Sequence, residues 1–279
     1  MLTAYDRLFV ERCGEIAVLP SPFHSDEELM DFVSGLLATA GRELNQAVPY
    51  ADGNVGSGLR LSATIPPFSA KPTLTLRRHQ WLAPTRQEYQ AMTGQQDELD
   101  RLEQAVAERR NIIVIGRAGS GKTTLLRVLA RFVPAGERII TLEETLELGL
   151  DAIHPHVVAL ETRPPNKAGN FAISADQALR HVLHMRPDRI VLGELRHGEA
   201  LQLLAALGSG HPGGFTTLHA DGPTDAFDRL LFLMMLSQHH LSETACTTYL
   251  HKVVDVIVTM ERLTDGRRRI ASITEVGTA

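Results

Sequence analysis

Apolar positions along the chain follow two rhythms that change near residue 111. Before it they come in short runs broken by Gly, Pro and helix-capping residues. YDRLFVER and EIAVLPSPF predict two strands about a Cys13-Gly14 turn; LRLSATI, after the Gly-rich VGSG, and PTLTLRRH, after Pro66-Pro67, predict two more. Ser25 and Glu28 have capping-box spacing and open an apolar helix to Ala40, with Gly41 as its stop. Thr85 and Glu88 cap a short helix, and Gln95 to Arg110 alternates charge with Leu and Val at helical spacing. From Asn111 the apolar runs NIIVIG, RIITLEE, HVVALETR, DRIVLGEL and GGFTTLHA read as strands. They alternate with helical TTLLRVLARF and ADQALRHVLHM, the latter capped by Ser174 and Gln177. That alternation predicts a mostly parallel sheet. Two helices and the hairpin DVIVTMERL and RRRIASITEV, turned at Asp265-Gly266, close the chain. The expected architecture is a smaller α+β N-terminal domain, residues 1–85, before an α/β domain, residues 86–279, with the boundary near 80 to 95.

Composition narrows the class. The 279 residues are 43% hydrophobic and 22% charged, as in an ordinary soluble globular protein. A net charge of -5 gives no support to nucleic-acid coating through bulk charge. Cys13 and Cys246 lie far apart without a C-x-x-C, which points to a reducing compartment. The longest apolar run, Leu230 to Leu236, is far below the roughly 20 residues of a membrane span. Membrane contact is therefore expected to be peripheral. Lysine is scarce, confined to Lys71, Lys122, Lys167 and Lys252.

One of those four lies in GRAGSGKT, Gly116 to Thr123, which matches G-x-x-x-x-G-K-T between a predicted buried strand and a helix N-terminus. In such a loop Gly116, Ala118, Gly119, Ser120 and Gly121 turn backbone N–H groups toward a phosphate. Lys122 reaches the β- and γ-phosphates, the Thr123 hydroxyl is a Mg²⁺ ligand, and Thr124 continues the helix start. Hydrolysis further needs a carboxylate to orient water. The aspartate usual after such a strand is missing, but Glu194 follows DRIVLG, and Glu143 and Glu144 follow RIITL. The C-terminal ends of parallel strands border one crevice, so these three acids are the candidates. The other reading has them capping loops or pairing with Arg196 and Arg138.

GRAGSGKTTLL, RIITLEETLEL, HVVALETRPPN, MRPDRIVLGELRHGEAL, GHPGGFTTLHAD and ASITEV occur in the order seen in the type II/type IV secretion ATPase superfamily. The chain resembles that family from about Tyr5 to its end, most closely the tight-adherence (Tad/Flp) pilus branch. The resemblance implies a RecA-like P-loop motor with Gly116 to Thr124 as Walker A box, Glu143 and Glu144 in the acidic box, and Glu194 as Walker B glutamate. It places His211 and His219 in the histidine box, with His219 the better candidate to sense a γ-phosphate. It makes Arg77 and Arg78 candidates to clamp phosphates from the N-terminal domain, and gives Arg163, Arg180 and Arg196 positions from which to act across a subunit boundary. Departures from the family pattern are Glu144 for an aspartate, Arg117-Ala118 for small residues, and His184 for an arginine. The family's leading segment has no counterpart, as in a short paralogue or a fragment.

The function so implied is a hexameric ATPase using ATP and Mg²⁺ to power pilus assembly or protein secretion. It would work from the cytoplasm, peripheral to the inner membrane, against inner-membrane platform proteins, with nucleic acid not expected as a partner. The alternatives are a conjugative DNA-transfer ATPase of the same superfamily and a nucleotide-binding regulatory subunit that does not hydrolyse. A DNA helicase is disfavoured by the acidic balance and the lack of an aromatic-rich basic groove.

Overall fold

The computed structural model describes residues 1–12, 15–55, 58–78, 84–163, 172–196, 199–237 and 242–277. The expected Cys13-Gly14 turn lies outside them. Contacts along the chain divide it into two units, residues 1–81 and 82–279.

The first unit comprises β1 (Leu2–Ala4), β2 (Arg7–Arg12), β3 (Glu15–Leu19), α1 (Asp26–Thr39), β4 (Tyr50–Val55), β5 (Leu59–Thr64) and β6 (Thr73–Arg78). Its sheet runs β3-β2-β1-β6-β5-β4, every pair antiparallel. Leu29, Val33 and Leu37 recur at helical spacing on one face of α1 and are buried with Leu2, Leu61 and Leu74 of the sheet. The cap of α1 departs from a full box. Ser25 Oγ accepts the Glu28 N–H at 3.1 Å, but the Glu28 carboxylate accepts from the His24 N–H, at 2.8 Å. Strands β1 and β4 have no clear sequence signal. β1 is too short, and YADGNV of β4 is rich in turn formers yet pairs along its whole length with β5.

The second unit comprises α2 (Arg86–Thr93), α3 (Gln96–Ala107), β7 (Ile112–Ile115), α4 (Lys122–Phe132), β8 (Ile139–Glu143), β9 (Val157–Glu161), α5 (Ala175–Val182), β10 (Arg189–Leu192), α6 (Glu199–Gly208), β11 (Phe215–Leu218), α7 (Pro223–Ser237), α8 (Glu243–Val253), β12 (Val256–Arg262) and β13 (Arg268–Glu275). Seven strands run β13-β12-β7-β11-β10-β8-β9, parallel throughout except for the antiparallel edge β13. Alternate residues serve opposite faces. Ile113 and Ile115 of β7 pack in one core with Leu203 of α6, Leu230 of α7 and Leu250 of α8, while Ile112 and Val114 join the other core with Leu102 of α3 and Leu125 of α4. Burial on both faces explains why these strands read as unbroken apolar runs. Helix α6 escaped the sequence pattern because Ala200, Leu203, Leu204, Ala206 and Leu207 are all buried, leaving little polar periodicity. Among the described residues no helix is long and apolar enough to cross a membrane.

Two buried polar residues fasten the N-terminal ends of the central strands. Asn111, just before β7, donates from Nδ2 to the Val253 carbonyl at 2.7 Å, and its Oδ1 accepts the N–H groups of Gly213 at 2.7 Å and Gly214 at 3.2 Å. Arg189, fully buried at the start of β10, donates to the carbonyls of Val106 at 2.9 Å and Gly213 at 3.2 Å and pairs with Glu137. Gly213 is required here, because a Cβ at its φ of 87° would collide with the Arg189 guanidinium. Asn111→Leu keeps the volume but leaves buried partners unsatisfied, and should lower stability to urea by about 3 kcal/mol. Circular dichroism would record this, and an unchanged midpoint would refute the fastening role.

Candidate functional site

Strand β7 delivers the chain at Ile115 into the Gly-rich loop, and α4 takes it up again at Lys122. Gly116, Gly119 and Gly121 have φ of 142°, 72° and 97°, values that side chains rarely adopt. A Cβ on Gly116 would strike the Met260 carbonyl of β12 and approach the Ser120 hydroxyl to 2.7 Å. Ser120 is buried with no hydrogen-bond partner for its Oγ among the described residues. Ala118 is exposed at the tip beside Arg117, which pairs with Asp221 at 2.8 Å. Thr123 and Thr124 are half-buried in the first turn of α4, where helical N–H groups have no intrahelical acceptor.

Lys122 is only 7% exposed, and its Nζ donates to the carbonyls of Gly116 at 2.7 Å and Arg117 at 3.0 Å. A third contact, 3.2 Å, runs to Nδ1 of His219 just beyond β11. An ammonium can only donate, so Nδ1 accepts and the imidazole proton sits on Nε2. Nε2 lies 2.9 Å from Glu194 Oε1, beyond β10. The line then continues, as Arg196 donates from Nε to Glu194 Oε2 at 2.8 Å and from Nη1 to Glu144 Oε2 at 2.7 Å. Burial and then the Lys122 charge hold the His219 pKa below its ordinary value, consistent with a neutral ring. Burial likewise lowers the Lys122 pKa, opposed by Glu194.

The three candidate acids thus have different surroundings. Glu194 is held by a guanidinium and an imidazole. Glu144 is half-exposed and paired with Arg196. Glu143 is buried, and its Oε2 accepts the N–H groups of Glu147 and Leu148, each at 2.8 Å. The carbonyls of those same two residues accept from Arg127 of α4, so the segment is clamped between acid and base. Burial pushes the Glu143 pKa up from 4.5 to about 7. Gly193 makes room for it, since a Cβ there would lie 3.1 Å from Glu143 Cγ.

The remaining candidates are dispersed. Arg77 and Arg78 end β6 of the first unit, both exposed. Arg180 is exposed on α5 and paired with Asp176 one turn earlier. Arg163 lies past β9 in a bridge with Ile173. His211 follows α6 with its Nδ1 buried and without a partner among the described residues, and His184 sits in the short 3₁₀ turn after α5. Sequence reasoning missed Arg127, Thr217, Met260 and Arg268. Thr217 Oγ1 donates to the Gly193 carbonyl at 2.7 Å, and Arg268 Nε to the Gly119 carbonyl at 3.0 Å. Only Arg268 carried a signal, as the middle of an Arg run after a hairpin turn.

Loop, lysine and unpartnered buried hydroxyl fit a phosphate chain. Among the described residues no group of three His, Cys, Asp or Glu could hold a metal. The Thr123 hydroxyl, in the first turn of α4, is the group of this loop that would hold a Mg²⁺ ion.

Comparison with known proteins identifies the family to which the chain is similar. The family model described as type II/IV secretion system protein matches residues 1–272. A putative conjugal transfer protein of Mycobacterium tuberculosis is 34% identical over 285 residues, 98% of this chain and 79% of its own length. The type IV secretion system protein PtlH of Bordetella pertussis is 40% identical over 180 residues, 62% of this chain and 52% of its own. The solved VirB11 ATPase of the Brucella suis type IV secretion system, in complex with sulphate, superposes with a TM-score of 0.57 at 27% identity, covering 98% of this chain and 88% of that one.

The Glu143 carboxyl has a folded pKa of about 7, above the 4.5 of the open chain, so its contribution to stability is full below 4.5 and lost as pH rises through 7. Glu143→Gln keeps an oxygen for the two N–H groups and removes the titration. Unfolding measured across that range should show the wild type losing stability relative to the variant as pH rises. Parallel profiles would mean that Glu143 is ionised in the fold throughout.

Proposed function

Since the chain belongs to the type II/IV secretion system protein family, we propose that it is an ATPase motor that powers a type IV secretion or pilus apparatus. Residues 86–279 are the RecA-like motor and residues 1–85 the N-terminal domain. One observation carries the reading: the lysine of the phosphate loop and the glutamate beyond β10 are joined through a single imidazole. A site that only holds nucleotide has no need of that link.

The residues suggest how the site works. ATP binding draws Lys122 from the loop carbonyls and from His219 Nδ1 toward the β- and γ-phosphates. His219 then loses a neighbouring positive charge and gains negative ones, which favours its protonated form and lets Nδ1–H donate toward the γ-phosphate. Glu194, held by Arg196 and His219, is in place to orient water and take its proton. Mg²⁺, held by the Thr123 hydroxyl, would withdraw charge from the phosphate oxygens. Lys122, His219 and Glu194 thereby link the phosphates to the general base.

The finer reading is a homo-hexamer of the tight-adherence kind working against inner-membrane platform proteins from the cytoplasmic side, with Arg77, Arg78 and Arg180 supplied to shared sites. Conjugative DNA transfer is the second reading, favoured by the 34% identity to a putative conjugal transfer protein over nearly the whole chain.

Lys122→Ala should abolish nucleotide binding in calorimetry. Glu194→Gln should bind ATP as before and turn over about a hundredfold or more slowly, because an amide cannot accept the proton. Equal turnover in Glu194→Gln and wild type would move the catalytic role away from Glu194, first to Glu144. A shared site also predicts specific activity that rises with protein concentration, and partial recovery when Glu194→Gln and Arg77→Ala proteins are mixed. Concentration-independent activity without recovery would assign each site to one chain.

A further inference from the structure

We propose that Arg268, on the C-terminal hairpin, forms the nucleoside side of the binding site and stacks its guanidinium on the base and ribose of the bound nucleotide. The inference rests on the nucleotide reading above and extends it to what lies beyond the phosphates.

The sheet order fixes the direction. Glu194 and His219 follow β10 and β11, and Glu143 ends β8; all three strands lie on one side of β7. The terminal phosphate and the attacked bond belong on that side, where the acids and the imidazole are. A nucleotide is a linear molecule crossing the mouth of the loop, so its sugar and base leave on the other side of β7. That side is β12 and β13.

There the hairpin closes against the loop. A Cβ added to Gly121 would lie 3.3 Å from Arg268 Cδ and 3.5 Å from Met260 Cε, so both side chains line the loop at the start of α4. The three arginines at the head of β13 are not equivalent. Arg267 pairs with Asp265 and Arg269 with Glu261. Arg268 is exposed and makes no ion pair among the described residues, and its one bond there runs from Nε to the Gly119 carbonyl at 3.0 Å. That bond holds the planar head beside the loop and leaves both terminal nitrogens and the guanidinium face available. A permanently charged plane of this kind stacks on aromatic rings and donates to ribose oxygens.

The test is calorimetry on the full chain with ADP, CDP and pyrophosphate, comparing wild type with Arg268→Ala, Arg268→Lys and Arg267→Ala. Arg268→Ala should weaken ADP about tenfold, the worth of one stacked base, leave pyrophosphate affinity unchanged, and shrink any preference for ADP over CDP. Arg268→Lys, which keeps the charge without the plane, should recover only part, and Arg267→Ala should match wild type. Equal losses for ADP and pyrophosphate would mean that Arg268 merely shapes the loop, and no loss for ADP that it touches no nucleoside; either overturns the proposal while leaving the nucleotide site intact. Wild type binding neither ADP nor pyrophosphate would overturn the site itself.

Discussion

The register of three parallel strands is the constraint on which the site depends. Ile115 of β7 lies opposite Leu218 of β11, and Leu192 of β10 opposite Thr216. Gly116 and His219 therefore leave the sheet side by side, and Glu194 one strand further along. Only in this register can Lys122 reach His219 Nδ1 while Nε2 reaches Glu194. A slip of one residue would turn every side chain of a strand to the opposite face. The polar residues at the far ends of these strands gain a purpose from this. Asn111 ties β7 to the chain entering β11, and Arg189 ties β10 to the same Gly213. Near the site the Thr217 hydroxyl repeats the tie by bonding to Gly193. Polar groups in an otherwise apolar sheet fasten strand against strand at both ends of the motor.

The acids show how position and environment divide labour. All three sit at the C-terminal ends of β8 and β10, yet their surroundings differ. Glu194 lies between Arg196 and His219. Glu143 is buried deeply enough for its pKa to reach about 7, and it organises Glu147 and Leu148 together with Arg127. Glu144 meets Arg196 from the opposite side to Glu194. Arg196, expected to act across a subunit boundary, lies inside this one-chain network and joins two of the acids.

Much of this was legible in the residues. The strands of the second unit are apolar runs bounded by Gly and Pro, and the loop declares itself by glycines that the backbone needs at positive φ. The boxes at Thr85 and Ser174 form with both bonds. What escaped depends on tertiary contact. β4 is a strand because β5 is beside it, and α6 is a helix with too little polar surface to show a period. The different roles of Glu143 and Glu144 follow from where Arg127 and Arg196 point, which no local pattern records. Arg268 reaches the loop from the far end of the chain, 149 residues beyond Gly119, so only the closed fold brings the two together.

One neutral imidazole joins the loop lysine to the glutamate. The most direct measurement is ¹⁵N NMR of the His219 ring in nucleotide-free protein, assigned by comparison with His219→Gln and followed across neutral pH. The ring should be neutral with its proton on Nε2 and an accepting Nδ1, and should titrate below the ordinary histidine value of 6.5. A ring protonated above that value, or one with its proton on Nδ1, would contradict this link.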